Sequence, residues 1–471
     1  MENTAQTNLG RIIRGAPVAL AALAALWSPQ QADAATKGTA GNATVRNTIT
    51  VNYNDAKGTA QAAVSAFVDI QVTTVAAAPT VLSITPTPGS TDGTGATQDY
   101  TVRIQTNSNG PGLVTLGAAD TASTNMTSYG TAPTLPANIF LGSTIIDPTD
   151  ANGTIATWAV GASVTFKVPN DSGIAATTPS DTAVTGGTVG DGIVNGLKSG
   201  DMVYLYSGSA YYGPFSVGTV TEVAVGSGTT AAPCSIQLTN NLGAGALSSL
   251  ATNASGIPWQ IVEAKDVTMR VTQGVIPLAT ASTASSWVTT VTATMGTAGT
   301  GTVTTNAHLG LLTIAKYVRN VTTPVAGSGT QLTPTVTVNG TSSNLFYPAG
   351  VSGKPGDVLE YLAVVTDAGT GSSLAVYATD VTPTYTTLIS GTTYGSLTAG
   401  TIFAKASFNS TETDLKTDNT GGATNVAFGK STGTTAGSTM TFYLGTGSST
   451  TAGGTLSNGQ AAYLLYQVKV N

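Results

Sequence analysis

The chain has 471 residues, 41% hydrophobic but only 8% charged and 6% aromatic, with 56 glycines; against roughly 25% charge in an average domain, this describes short strands and tight turns and excludes helical or acidic disordered classes. A net charge of -6, spread over 23 acidic and 17 basic residues, supplies no basic stripe to neutralise phosphates, so no nucleic-acid partner is expected. The single cysteine, Cys234, excludes a disulfide within one copy and leaves sheet bonding, packing, bound ions or assembly to stabilise the fold.

Residues 1–34 have the form of a secretory signal peptide. Arg11 and Arg14 precede an apolar run from Ala16 to Trp27, and Ala32-Asp33-Ala34 forms a small-x-small cleavage site before Ala35. The run is too short to span a bilayer, and no later stretch suits a membrane helix. The mature chain is therefore expected to be secreted, extracellular or at a bacterial cell surface, with no membrane span.

Residues 35–78 are expected to hold a β-hairpin. In its first arm Val45, Ile49, Val51 and Tyr53 share one parity, and in its second arm Val64, Val68, Ile70 and Val72 do the same, the period of half-buried strands. Between them Asn54-Asp55-Ala56-Lys57-Gly58 reverses the chain, with Gly58 suited to a left-handed turn position. A two-stranded hairpin does not hold itself together in water. These eight apolar residues are therefore candidate assembly strands, to be covered either by their own chain or by a neighbouring copy.

From residue 79 to 305 short strands recur with turn signals every eight to twelve residues, the rhythm of a β-sandwich. Within it, residues near 161–262 change texture, and their strongly β segments around Lys198-Ser199-Gly200-Asp201 predict a small barrel-like insertion. Cys234, in CSIQL, is expected as a small buried hydrophobe. Residues 306–471 form the last unit, which closes on a strand ending Val468-Lys469-Val470-Asn471.

In that last unit Lys316, Pro355, Gly356, Asp357, Leu359, Tyr361, Val364, Gly369, Gly371, Asp380, Pro383, Thr386 and Gly391, with Gly454, Leu456 and Gly459, are similar to an Ig-like repeat of unassigned function. That repeat recurs in tandem on bacterial and archaeal surface proteins. Asp367 stands where the family usually has asparagine. Asn47, Thr48, Val51, Tyr53, Asp55 and Gly58 of the hairpin resemble the closing strands of the same family. The resemblance implies an exported sandwich and no chemistry. The expected fold class is all-β: multidomain Ig-like β-sandwiches with an inserted small β-barrel-like module and an N-terminal β-hairpin as donor segment.

Candidate chemistry is sparse. His308 is the only histidine, which disfavours Ser-His and Cys-His catalysis and the usual zinc, copper and iron sites. After the signal only Glu222, Glu263, Glu360 and Glu412 remain as glutamates, with Glu360 expected to point outward, so a paired-carboxylate glycosidase is disfavoured as well. No enzyme activity and no cofactor are expected, apart from a possible calcium ion at Asp147, Asp150 and Asn152, or at a second oxygen-rich loop with Glu412, Asp414 and Asp418. Ordinary turn chemistry is the competing explanation for both loops. Tyr211, Tyr212 and Phe215 offer a candidate carbohydrate-stacking platform, or else bracket a hairpin. Lys316, Lys405 and Lys430 are candidates for an internal isopeptide bond to Asn or Asp.

The function expected from these features is an exported subunit that forms a homopolymer, a filament or surface layer, by intermolecular β-strand addition. The alternative is a monomeric adhesin or carbohydrate-binding surface protein whose hairpin folds back on residues 79–160.

Overall fold

The computed structural model describes residues 44–146, 159–169, 192–206, 211–223, 234–242, 260–332, 346–423 and 427–471, with 44–46, 48, 69, 71 and 421–423 described by their backbone alone. Among these there is no α-helix; the chain is all-β with a single 3-10 turn at Leu278–Thr280. The signal-like residues 1–34 lie outside the described residues.

Strands β1 (Thr44–Val51) and β2 (Val64–Gln71) form a separate two-stranded ribbon. The first sandwich then runs through β3 (Thr80–Thr85), β4 (Gly89–Asp92), β5 (Thr97–Gln105), β6 (Gly112–Thr124), β7 (Asn138–Leu141) and β8 (Ser143–Ile145). It continues through β9 (Ser163–Val168), β10 (Ile193–Val194), β11 (Leu197–Lys198), β12 (Met202–Tyr206), β13 (Tyr211–Thr221), β14 (Cys234–Thr239), β15 (Gln260–Thr272), β16 (Ser285–Met295) and β17 (Thr297–His308). One sheet has the order β3-β5-β15-β12-β13-β14-β9 and the facing sheet β4-β17-β16-β6-β7. In β16 the sequence SSWVTTVTATM alternates buried and half-buried residues along its whole length, the period-two signature of a strand with one face on a core. Trp287, Tyr100, Val102, Met269 and Val291 fill that core.

The segment expected as a small barrel forms, in its described residues, a curled half-barrel with a core of its own, built from Phe166, Leu205, Phe215, Cys234 and Ile261. Its sheet is not separate. Residues Ala264–Thr272 of β15 pair with β5, while Gln260–Glu263 of the same strand pair with β12, so a single strand passes from one core into the next.

The second sandwich comprises β18 (Leu312–Asn320), β19 (Val358–Asp367), β20 (Ser373–Val381), β21 (Thr386–Leu388), β22 (Ile402–Phe408), β23 (Thr411–Lys416), β24 (Asp418–Ala423), β25 (Ala427–Ser431), β26 (Thr439–Leu444), β27 (Gly454–Leu456) and β28 (Ala461–Val470). The sheet β18-β19-β28-β22-β23 faces the sheet β24-β25-β26-β20-β27 across Phe403, Phe442 and Tyr466. The two sandwiches meet through main chain. Ser372 N donates to the Asp92 carboxylate at 3.0 Å and Thr370 N to Ala281 O at 2.9 Å. Asp367, fully buried, accepts from Leu311 N, Gly369 N and Ser373 N. Gly369 and Gly371 are required here, because a Cβ at either would collide with Leu309 O or the Asp92 carboxylate.

Two buried carboxylates show what the cores tolerate. Glu360 is not outward-facing as alternation suggested. It is fully buried, paired with Arg319 at 2.5 Å, and accepts from Tyr394 Oη and Gln467 Nε2, both at 2.8 Å. The face it occupies is roofed by Phe346, Leu332 and Tyr394 over Leu362 and Leu465, so alternation away from the main core leads into a second, smaller one. Glu263 is buried beside Lys265 (2.9 Å) and Gly142 N (2.5 Å); burial, opposed by the charge of Lys265, pushes its carboxyl up to about 7.

Removing one partner of a buried, hydrogen-bonded ion pair costs about 3–5 kcal/mol, so Glu360→Ala is expected to lower the urea midpoint sharply, with Glu360→Gln intermediate. Because the folded state of Glu263 holds its proton more tightly than an unfolded carboxyl, its contribution is complete below pH ~4.5 and is lost as pH rises through about 7. Native stability should therefore fall across that window by up to about 3 kcal/mol, and Glu263→Gln should flatten the slope in denaturant titrations at several pH values.

Candidate assembly site

The ribbon is built by parity. Its antiparallel register sets Val45 opposite Ile70, Asn47 opposite Val68, Ile49 opposite Ala66 and Val51 opposite Val64. Odd residues of β1 thus share a face with even residues of β2, and directly opposed side chains are the contact unit of a sheet. One face is consequently a double row that is apolar except at Asn47, and the other carries Thr50 and Ser65, whose hydroxyls lie 2.8 Å apart, together with Phe67. The turn is closed by Asp55, whose Oδ1 accepts from Lys57 N (2.8 Å) and Thr59 N (2.9 Å), while Gly58 takes φ +82°. This is an Asx turn followed by the left-handed glycine that its sequence demands.

Among the described residues nothing covers the apolar row. Ile49, Val51, Tyr53, Val64, Val68 and Ile70 are 52–66% exposed. Val72, the eighth residue of the expected set, differs from them. β2 ends at Gln71, and Val72 packs on Ile145 of the first sandwich, so it belongs to the ribbon's root. The root is further fixed by Val75 N donating to Asn109 Oδ1 at 2.6 Å and by Asn107 Nδ2 donating to Ala78 O at 2.6 Å. The ribbon is thus tethered at its base while its apolar face stays in solvent. Phe67, 48% exposed on the opposite face, was passed over by parity reasoning because it interrupts an otherwise polar row.

Burying a whole Val, Ile or Phe side chain is worth about 1.5–3 kcal/mol, so completing six half-covered ones yields roughly 5–9 kcal/mol. Association costs about 4–15 kcal/mol. Side chains alone therefore do not decide the outcome, and backbone pairing along a ribbon edge must contribute, at about 1 kcal/mol per hydrogen bond.

The other candidate sites are placed as follows. Asp147, Asp150 and Asn152 lie outside the described residues. In the second oxygen-rich loop Lys405 Nζ already lies 3.2 Å from Glu412 and 3.7 Å from Asp414, and Asp418 Oδ1 accepts from the Thr420 hydroxyl at 2.7 Å. Among the described residues no three His, Cys, Asp or Glu side chains converge as a metal cluster. The three aromatics do not share an exposed face. Phe215 is fully buried, Tyr212 packs on the same core, and Tyr211 stacks on Tyr206 with centroids 4.5 Å apart. Burial pushes the Tyr211 hydroxyl up to about 12. Lys316 forms an ion pair with Asp380 at 2.6 Å, and Lys430 lies over the Tyr443 ring. His308 ends β17, where its carbonyl accepts from Gly93 N and Gln273 Nε2. No helix among the described residues is long and apolar enough to cross a membrane.

Neither a family model nor a curated protein matches the sequence. Among solved structures the chain is similar to the C-terminal domain of the AgI/II polypeptide BspA of Streptococcus agalactiae, at 8% identity over 83% of this chain and 90% of that one, with a TM-score of 0.24. It is also similar to a putative membrane anchored protein of Corynebacterium diphtheriae, at 9% identity over 91% and 88% of the two chains, with a TM-score of 0.17. These neighbours are bacterial surface-protein domains, and at such scores the likeness carries no argument about this chain.

Proposed function

We propose that this protein is an exported structural subunit, without catalytic activity, that assembles into an extracellular filament or surface layer. In this reading the ribbon β1–β2 of one copy adds to a sheet of the next. The observation that carries it is the row Ile49, Val51, Val64, Val68 and Ile70, more than half exposed on a ribbon that forms a two-stranded sheet of its own. A monomeric adhesin would need that row folded back over residues 79–160, and the exposure of the row speaks against it. Strand addition supplies directional main-chain bonds and covers the alternating row in one step. A head-to-tail contact that does not close on itself propagates into a fibre.

Electron microscopy of the secreted native chain beside a variant lacking residues 35–78 is the direct check: ordered fibres that vanish on deletion are expected, and dispersed monomers in both samples would refute the proposal. Val68→Asp leaves its charge in solvent in the single chain but unpaired in a neighbour's core, at a cost of several kcal/mol. It should raise the concentration needed for assembly at least about 100-fold in light-scattering titrations, with the melting of the monomer unchanged.

A further inference from the structure

We propose that the acceptor for the ribbon of a second copy is the open edge of β18, with β2 as the strand that pairs with it; this rests on the assembly role above. β18 pairs with β19 along its whole length, but among the described residues its other edge meets only Tyr347, at Val318, through bonds of 2.8 and 2.9 Å. Leu312 to Tyr317 thus present an edge with no ladder partner among the described residues. An unpaired edge of this length is a template for another strand.

Three other sheet edges, those of β7, β23 and β3, are protected. β7 has four residues and its Phe140 carbonyl is taken by Lys265 Nζ at 2.7 Å. β23 carries Glu412, Asp414 and Lys416, charges of the kind that blunt edges. β3 lies against β17 closely enough that a Cβ at Gly301 would stand 2.6 Å from Val81. On β18 both charges are paired within the sandwich, Lys316 with Asp380 on the facing sheet and Arg319 with the buried Glu360.

The side chains match the ribbon on both faces. Leu312 and Ile314 alternate on the same side as Lys316, towards the facing sheet, yet are 43% and 67% exposed. Ile314 sits opposite the core residue Val365, so the core row runs out to the sheet edge and lacks a cover there. The row Val64, Val68 and Ile70 is apolar, uncharged and similarly exposed. Along the same edge, mainly on its other side, Thr313, Ala315, Tyr317, Val364, Tyr463 and Leu332, joined by Ile314, line a hollow of about 200 Å³. A strand that turns its valines to the core row turns its intervening residues to this hollow, and in β2 the large one is Phe67.

The size is also sufficient. A stable contact takes about 800 Å² and some twenty to thirty residues from each partner. The ribbon brings two eight-residue strands and its turn, and the acceptor adds exposed Leu374 and Tyr377 of β20, the strand that holds Asp380 across the seam.

The test uses full-length chains at the concentration where the native chain forms fibres. One variant carries Leu312→Lys and Ile314→Lys; the other carries Val64→Asp and Val68→Asp. All four positions are exposed, and circular dichroism melting verifies that each variant folds. Each alone should sediment at the mass of one chain, while an equimolar mixture should give a species of twice that mass and nothing larger, because one variant keeps its ribbon and the other its edge. Native-like fibres from the β18 variant, or a mixture that stays monomeric, would overturn β18 as acceptor and leave strand addition standing. A native chain that never polymerises would overturn both. Within the contact, Phe67→Ala should weaken assembly about tenfold or more, and no change would remove β2 from the pairing.

Discussion

A ribbon of two strands has two faces and no third layer, so a ribbon with one apolar face must find its cover elsewhere. That constraint organises this protein. The β1–β2 register gathers the apolar residues of both arms onto one side, and the anchoring contacts of the root, Val72 on Ile145 and Val75 on Asn109, lie beyond the row they would have to protect. The row is held out from the sandwich by the same contacts that attach it. In the proposed assembly, the small energetic margin between covering six half-exposed side chains and the cost of association makes backbone pairing the deciding contribution, so the proposed complement is an open sheet edge and not merely a greasy surface.

The rest of the chain is, in the proposed assembly, the scaffold that presents such an edge. Very few charges are available, and two of the buried ones are closely held, Glu360 by Arg319, Tyr394 and Gln467 and Asp367 by three backbone amides. Buried charges survive only with such company. Glycine serves a similar end at the junction of the sandwiches, where Gly369 and Gly371 allow main chain to lie against main chain.

Much of this was legible in the sequence where period two ran unbroken. The arms of the ribbon, its Asp55 and Gly58 turn, and strands such as β16 follow directly from alternation and turn chemistry. The failures have equally physical causes. Alternation shows which residues share a face but not whether that face is roofed, so Glu360 was expected in solvent although Phe346, Leu332 and Tyr394 close over it. Of the two readings of Tyr211, Tyr212 and Phe215, a stacking platform or aromatics at a hairpin, the geometry fits the second: Tyr211 starts β13 opposite Tyr206, and strand alternation sends Phe215 and Val217 inward. Val72 shares the parity of the exposed row, but the strand stops one residue before it. The edge of β18, without a ladder partner among the described residues from Leu312 to Tyr317, left no local trace, since an unpaired edge is defined by what the remainder of the sheet does not supply.

β15 carries a last implication. Its thirteen residues hydrogen-bond to β5 in the sandwich and to β12 in the curled sheet, with Ile261 in one hydrophobic cluster and Val267, Met269 and Val271 in the other. Loss of either cluster frees one end of a strand that the other needs held straight. The two regions are therefore thermodynamically coupled, and heat or mechanical pulling should melt them as a single cooperative unit.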